Sequence, residues 1–405
     1  QFDCPQSLLD QFIYDQSEFR LDIRPSQHVD RFELALTVKG GLQGVRVDAL
    51  WDCVATRRSF IELPAPRSQK ERKQRILVLD LERLAPLVQL FDELGVQVLG
   101  NQIEERPLWT LASLQPAALA ELPLQYSISD SLLQIQQQML GQVDTCEEVS
   151  LDGIRAELRP YQLEGVHWLN RLRRMHLNGV LADDMGLGKT LQAIALLSHV
   201  KKLDADATTL IVCPTSLLYN WKEELAKFAP HLKALVVDGV PTVRKRILQK
   251  MQDYDVVITS YTLLQKDIEV HKKRLYTYAI LDEAQHIKNR GTRNAKSVKM
   301  IQAQHRLILS GTPVENSLEE LWSLFDFLMP GLLGPFERFQ EKYMRFAPAS
   351  STGKQTASRG LEPLRRKVAP FILRRMKSDV LKDLPPITES IYHCQLTSVQ
   401  EDLYR

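Results

Sequence analysis

The chain predicts an α/β protein: a parallel β-sheet covered by helices on both faces, preceded by a small α+β region. Three observations predict it. Short apolar runs alternate with helical patterns at residues 179–182, 210–212, 235–237, 256–258, 279–281 and 307–309. Such β-rich runs suit strands buried on both faces, and the helices between them allow parallel crossovers. A glycine-rich turn at 183–190 joins the first run to an amphipathic one at 191–200. Parts of residues 1–150 instead alternate apolar and polar, as half-buried strands do.

The bulk numbers bound the class. The 405 residues suffice for two or three domains of roughly 100–200 residues each. Hydrophobic residues make up 44% and charged residues 25%, the balance of an ordinary globular protein. No apolar run approaches the ~18 residues of a membrane helix, so no membrane partner is expected. No signal peptide opens the chain, and its first residue is Gln1 rather than Met, as expected of a fragment. The five cysteines are scattered and none forms C-x-x-C, which points to reduced, intracellular thiols rather than a zinc or disulfide framework. A net charge of +2 announces no nucleic-acid partner, so that case must rest on local basic runs.

Residues 1–150 read as a small α+β accessory region. Residues 31–38 alternate as a strand, Gly40-Gly41 turns, 45–51 alternate again, and Phe60-Ile61-Glu62-Leu63 is a third strand. Residues 67–75 form a basic loop and 76–81 a strand. Asp80 or Glu82 then opens a helix bearing Leu84, Leu87, Val88, Leu90 and Phe91, closed by Gly95. Residues 108–139 read mostly as helix, broken at Pro116 and Pro123. No catalytic constellation is visible, and a structural or partner-binding appendage is expected.

From Leu158 the character changes. Arg159-Pro160-Tyr161-Gln162 opens a helix with Pro in its first turn and Val166, Leu169 and Leu172 on a buried face. The Gln162 amide can donate and accept together, as an adenine edge requires, although a surface glutamine is the plainer reading. The turn Asp183-Asp184-Met185-Gly186-Leu187-Gly188-Lys189-Thr190 fits a phosphate-binding loop. Its glycines let several backbone N–H groups converge on one anion at a helix N-terminus. Lys189 would reach the β- and γ-phosphates and Thr190 would offer its hydroxyl to Mg²⁺. Asp183 stands where the first glycine of such loops usually stands.

Ile280-Leu281-Asp282-Glu283 is an apolar strand ending in two acids, the Walker-B arrangement. Asp282 would hold Mg²⁺ and Glu283 would polarise the attacking water. His286 and His305 lack partners at ligand spacing, so no metal role is read for them. Ser310-Gly311-Thr312 follows another strand and would sense nucleotide state, though Ser, Gly and Pro also dominate ordinary turns. Each motif falls at the carboxyl end of an expected strand, where parallel sheets bind ligands.

Together these residues resemble a known family. Arg159-Pro160-Tyr161-Gln162, residues 183–190, Pro214-Thr215-Ser216-Leu217-Leu218 with Asn220-Trp221, Thr259-Ser260-Tyr261, Asp282-Glu283-Ala284-Gln285 with Ile287-Lys288-Asn289, and Ser310-Gly311-Thr312-Pro313 occur in the order and spacing of the Swi/Snf (Snf-two) ATPases of helicase superfamily two. Leu373-Arg374-Arg375 with Lys377, Asp379 and Val380, then Leu384-Pro385-Pro386, is similar to that family's own signature. The resemblance implies a RecA-like P-loop NTPase lobe over 151–347 that binds ATP and Mg²⁺ and grips double-stranded DNA. Residues 348–405 would be a helical extension and linker toward a second RecA-like lobe. In this family Asp at the first loop position is common. Arg159, Gln162, Asp184, Met185, Gly186, Leu187, Gly188, Lys189 and Thr190 would make the nucleotide site. Gln285 would couple the γ-phosphate to the other lobe. Thr215, Ser216, Asn220, Trp221, Thr259, Ser260 and Tyr261 match DNA-facing positions that hold phosphates without reading sequence, although Trp221 suits core packing better. The basic runs Arg244-Lys245-Arg246, Lys272-Lys273-Arg274, Arg365-Arg366-Lys367 and Arg374-Arg375 fit the same use. A weaker similarity of residues 1–150 to a region ahead of bacterial Swi/Snf-type ATPases suggests a bacterial, nucleoid-associated cytoplasmic protein; a eukaryotic one would be nuclear.

The expected activity is ATP-driven translocation on duplex DNA that remodels protein–DNA complexes. A strand-separating DNA or RNA helicase and a non-catalytic partner-binding module are the alternatives. RNA polymerase, a repair complex, a nucleoid protein and phage DNA all stay open as the displaced partner. No Gln-x-x-x-Arg-x-x-Arg follows Asn316. An arginine finger is worth about 10³–10⁵ in rate, so this stretch alone is expected to bind nucleotide weakly and hydrolyse it very slowly. Residues 349–360 read as a flexible loop, and 325–346 and 361–380 as helices bridging toward the second lobe.

Overall fold

The structure, a computed structural model, describes residues 11–28, 30–63, 75–114, 119–140, 142–143, 148–311, 317–344, 361 and 363–380. The first region is strand pairing supported by period-two alternation. It runs β1 (Phe12–Tyr14), β2 (Glu18–Pro25), β3 (Arg31–Lys39), α1 (Val47–Thr56), β4 (Phe60–Leu63), β5 (Arg75–Val78), α2 (Leu81–Glu93), β6 (Gln102–Pro107), β7 (Gln125–Ile128) and α3 (Asp130–Met139). Its strands form two sheets, ordered β6-β3-β2-β7 and β1-β5-β4. In β3, Phe32, Leu34, Leu36 and Val38 are buried and the residues between them are not. Helix α2 starts where expected, with the Asp80 carboxylate accepting the Arg83 N–H.

Two expectations fail in this region. Residues 45–51 alternate as a strand would, but Val47, Leu50 and Cys53 also lie three apart, and they become the buried face of α1. Residues 108–139 hold a 3-10 turn, a helical stretch at 119–120, strand β7 and helix α3. β7 is too short for periodicity to show it; pairing with β2 makes it a strand. Most of the expected basic loop lies outside the described residues.

The second region runs α4 (Pro160–Arg174), β8 (Gly179–Leu181), α5 (Lys189–Leu203), β9 (Thr209–Cys213), α6 (Leu218–Phe228), β10 (Ala234–Val236), α7 (Pro241–Leu248), β11 (Val256–Ser260), α8 (Tyr261–His271), β12 (Leu275–Asp282), α9 (Arg293–Lys299), β13 (Gln302–Leu309), α10 (Leu318–Leu328) and β14 (Ile372–Leu373). One sheet in the order β10-β11-β9-β12-β13-β8-β14 holds all its strands, every pairing parallel. All six expected strands are present. β9 and β11 are buried at every residue, because helices cover both faces of the sheet. Parallel strands place their carboxyl ends on one edge, so the turns after β8, β9, β11, β12 and β13 converge there.

The seventh strand, β14, was expected as helix. Two residues carry no period, and the free edge of β8 recruits them. Residues 325–346 are likewise not one helix: α10 ends at Leu328 and helix resumes at Phe336. Residues 349–360 and 381–405, with Leu384-Pro385-Pro386, lie outside the described residues. The two regions touch where Lys342 Nζ meets the Asp92 carboxylate at 2.7 Å beside Trp51. Among the described residues no helix is long and apolar enough to cross a membrane.

Candidate active site

The chain leaves β8 and must turn tightly to enter α5. Gly188, at φ +79°, takes a left-handed conformation there. A Cβ on it would run into the Gln162 amide nitrogen. Gln162 is buried; its Nε2 donates to Leu187 O at 3.1 Å and its Oε1 accepts the Arg159 N–H at 2.9 Å. It therefore closes the first turn of α4 and braces the loop, with one bond to backbone at each pole of its amide. Arg159 is exposed, and so are Met185 and Gly186 at the loop apex.

Lys189 folds back across the loop and donates from Nζ to Asp183 O at 2.7 Å and Asp184 O at 3.3 Å. Burial lowers its pKa, while Glu283, Asp183, Asp282 and Asp184 push it back up. The loop lysine and the acids at the end of β12 thus lie within electrostatic reach of one another. Asp183 has a second cation in Arg375, and Lys189 then faces Asp184, Asp282 and Glu283, an excess of negative charge that suits a divalent cation.

Asp282 is held by three contacts. Its Oδ2 accepts Trp221 Nε1–H at 2.8 Å, its Oδ1 accepts the Glu283 N–H at 3.0 Å, and its carbonyl accepts the Tyr261 hydroxyl at 2.8 Å. Desolvation raises its pKa in spite of the Trp221 bond. Glu283 sits at φ +50°, a conformation rare outside glycine, which takes its side chain off the strand's alternation. Glu224 on α6, not singled out from sequence, joins the group. Its carboxylate lies near Thr190 and Asp282, and burial is the main cause of its raised pKa. Its place three residues after Trp221 on one helix face was the available signal.

Among the described residues no three His, Cys, Asp or Glu side chains gather as a metal site by themselves. A Mg²⁺ held by Asp282 would therefore need the Thr190 hydroxyl and ligand oxygens as well. Gln285 is exposed on the 3-10 turn Ala284–Ile287. The Ser310 N–H donates to Leu181 O at 3.2 Å, and a Cβ on Gly311 would meet Met185 Cγ at 3.0 Å, so this turn adjoins the loop. Thr312 lies outside the described residues.

The residues expected to face DNA divide into two groups. Thr215, Ser216 and Asn220 are exposed at the carboxyl edge. Trp221, Thr259, Ser260 and Tyr261 are 3% exposed or less: Trp221 packs in the core as expected, and the side chains of the other three turn inward. Trp221 and Tyr261 grip Asp282, and the Ser260 hydroxyl accepts the Leu263 N–H to cap α8. The basic runs also send members inward. Arg244 pairs with Asp267 at 2.7 Å, Arg274 lies over the Tyr276 ring, burial brings Lys367 down to about 8, and Arg375 pairs with Asp183. His286 stacks on Tyr261, and His305 packs against Tyr278 and His176.

Residues 161–405 match the family model of the SNF2-related domain. The chain belongs to that family. The TATA-binding protein-associated factor MOT1 of Saccharomyces cerevisiae is 45% identical over 62% of this chain and 14% of its own length. TATA-binding protein-associated factor 172 of Homo sapiens is 42% identical over 62% of this chain and 15% of its own. This SNF2-related chain thus spans about a seventh of those relatives. Among solved structures, the Sulfolobus solfataricus SWI2/SNF2 ATPase core in complex with dsDNA aligns with a TM-score of 0.53 and 40% identity, over 64% of this chain and 53% of that one. The parallel sheet is the RecA-like fold of the SNF2-related ATPases. The bacterial type expected from residues 1–150 is corrected in one respect: these curated relatives are eukaryotic.

Proposed function

We propose that this chain is the N-terminal region and first RecA-like lobe of an ATP-dependent translocase on double-stranded DNA that remodels protein–DNA complexes. The observation that carries the reading is the meeting of Lys189 with Asp282 and Glu283 at the carboxyl edge of the sheet. The site fits Mg²⁺ and a nucleoside triphosphate. Lys189 and the loop N–H groups at the start of α5 would hold phosphates, and Thr190 and Asp282 would hold the cation. Glu224, beside Thr190, would orient its hydroxyl, and Glu283 would take a proton from the attacking water. Bound ATP supplies the phosphoanhydride whose cleavage drives movement. Thr215, Ser216 and Asn220 offer polar groups to a DNA backbone beside this site. The solved core in complex with dsDNA supports a duplex substrate, and the relatives named as TATA-binding protein-associated factors support a protein bound to that duplex as the target. Residues 151–347 with strand β14 would be the lobe, 1–150 an accessory region and the rest of 348–405 the extension toward a second lobe.

ATP turnover of the full-length protein carrying this chain is expected to rise when duplex DNA is added. Glu283→Gln is expected to lower that turnover by about 10²–10⁴-fold while ATP still binds. Turnover indifferent to duplex DNA sinks the proposal. Release of a single strand from a duplex substrate moves the reading to the helicase alternative.

A further inference from the structure

We infer that Arg375 is a positioning residue for the phosphate loop, gripping Asp183 so that the Lys189 ammonium is held where phosphate must bind. This rests on the nucleotide reading above and deepens it. Asp183 occupies the place of the usual first glycine and is fully buried. A buried carboxylate requires a partner. Arg375 meets it with two bonds, Nε to Oδ1 at 2.9 Å and Nη2 to Oδ2 at 2.6 Å. The same guanidinium donates to Gln192 Oε1 at 2.9 Å and to Tyr161 O, and Gln192 Nε2 donates to Asp183 Oδ2 at 3.1 Å. Four acceptors around one planar fork is a geometry that lysine cannot reproduce.

The backbone repeats the grip. Ala182 N–H donates to Leu373 O at 2.7 Å, Asp184 N–H to Arg375 O at 3.0 Å, and Lys377 N–H to Asp184 Oδ2 at 2.9 Å. Asp183 and Asp184 are the residues whose carbonyls receive the Lys189 ammonium. A continuous set of bonds therefore runs from residues 373–377 through Asp183 to the phosphate-binding lysine. Gly165 makes room for it: a Cβ there would meet Arg375 Nη2 at 2.8 Å and collide with Gln192 Oε1. A glycine inside a helix is unfavourable, and this close approach accounts for one in α4.

The test is titration of the 405-residue chain with Mg-ATP, well below each variant's Tm, alongside amide hydrogen exchange of residues 183–189. Arg375→Gln and Arg375→Lys are each expected to weaken Mg-ATP binding by about tenfold or more and to speed exchange in the loop. Arg374→Gln removes a neighbouring exposed charge and is expected to do neither. Gly165→Ala presses on the clamp with every charge intact, and is expected to act like Arg375→Lys should Arg375→Gln fail to fold. Arg375→Gln or Gly165→Ala, folded and binding Mg-ATP within about twofold of the parent, overturns the inference. Lys189→Ala run in parallel separates the two failures: if it too leaves affinity unchanged, the nucleotide reading itself is wrong.

Discussion

Asp282 and Glu224 are held where burial opposes their charge, and desolvation is the main cause of both raised pKa values. The protonated form of such an acid favours the fold. That contribution is complete below the unfolded value and is lost as pH rises through the folded one. At neutral pH both acids therefore work against stability, and a divalent cation held there would relieve the strain. Glu224→Gln keeps an acceptor for Thr190 and is expected to raise Tm while shrinking the further rise produced by Mg-ATP; thermal scans with and without Mg-ATP check both. Arg375 shows the opposite sign. Stranding the Asp183 carboxylate in the interior costs about 3–5 kcal/mol, so Arg375→Gln is expected to lower Tm well beyond Arg374→Gln. Lys189, Thr190, Asp282 and Glu283, to which the proposed function gives phosphate and cation, could be singled out in the sequence because that chemistry asks for those residue types in two short adjacent pairs at strand ends. The roles of Glu224 and Arg375 were not legible, since what makes them matter is a partner far along the chain.

Elements were legible where their own period is strong. The buried runs of the parallel sheet and the apolar stripe of α2 declare themselves, and the structure places them as expected. β7 and β14 are strands only because β2 and β8 present edges to them. The start of α5 depends on a single backbone conformation. Gly188→Ala forces a Cβ into the left-handed region and against Gln162, a cost of about 1–2 kcal/mol before the collision. Loss of Mg-ATP binding together with a lower Tm is the expected outcome, read by titration and thermal scan; an unchanged affinity counts against the loop geometry described above.

Across the molecule, charge is organised by burial more than by net balance. Two histidines, His271 and His305, are held neutral in the interior, with burial bringing each from 6.5 to about 4. Because these values are depressed, their contribution is present above the unfolded value and is lost as pH falls through about 4. Tm is expected to drop over that interval. His305→Phe, which keeps a ring beside Tyr278, is expected to flatten the drop, and identical profiles for parent and variant would remove His305 from the account. The same principle governs the basic runs: Arg244 and Arg375, read as surface charge, serve as internal braces.

By itself the sequence determined the α/β class, the strand-tip location of the motifs and which residues make up the glycine-rich loop and the acidic pair, because each rests on local period or on chemistry confined to adjacent positions. Only the tertiary structure decided that Trp221 and Tyr261 hold Asp282 from within, that Glu224 stands beside Thr190, and that Arg375 ties the end of the described chain to Asp183. Those roles depend on which distant side chain shares a dry pocket, and burial turns a residue that reads as surface charge into a support of the site.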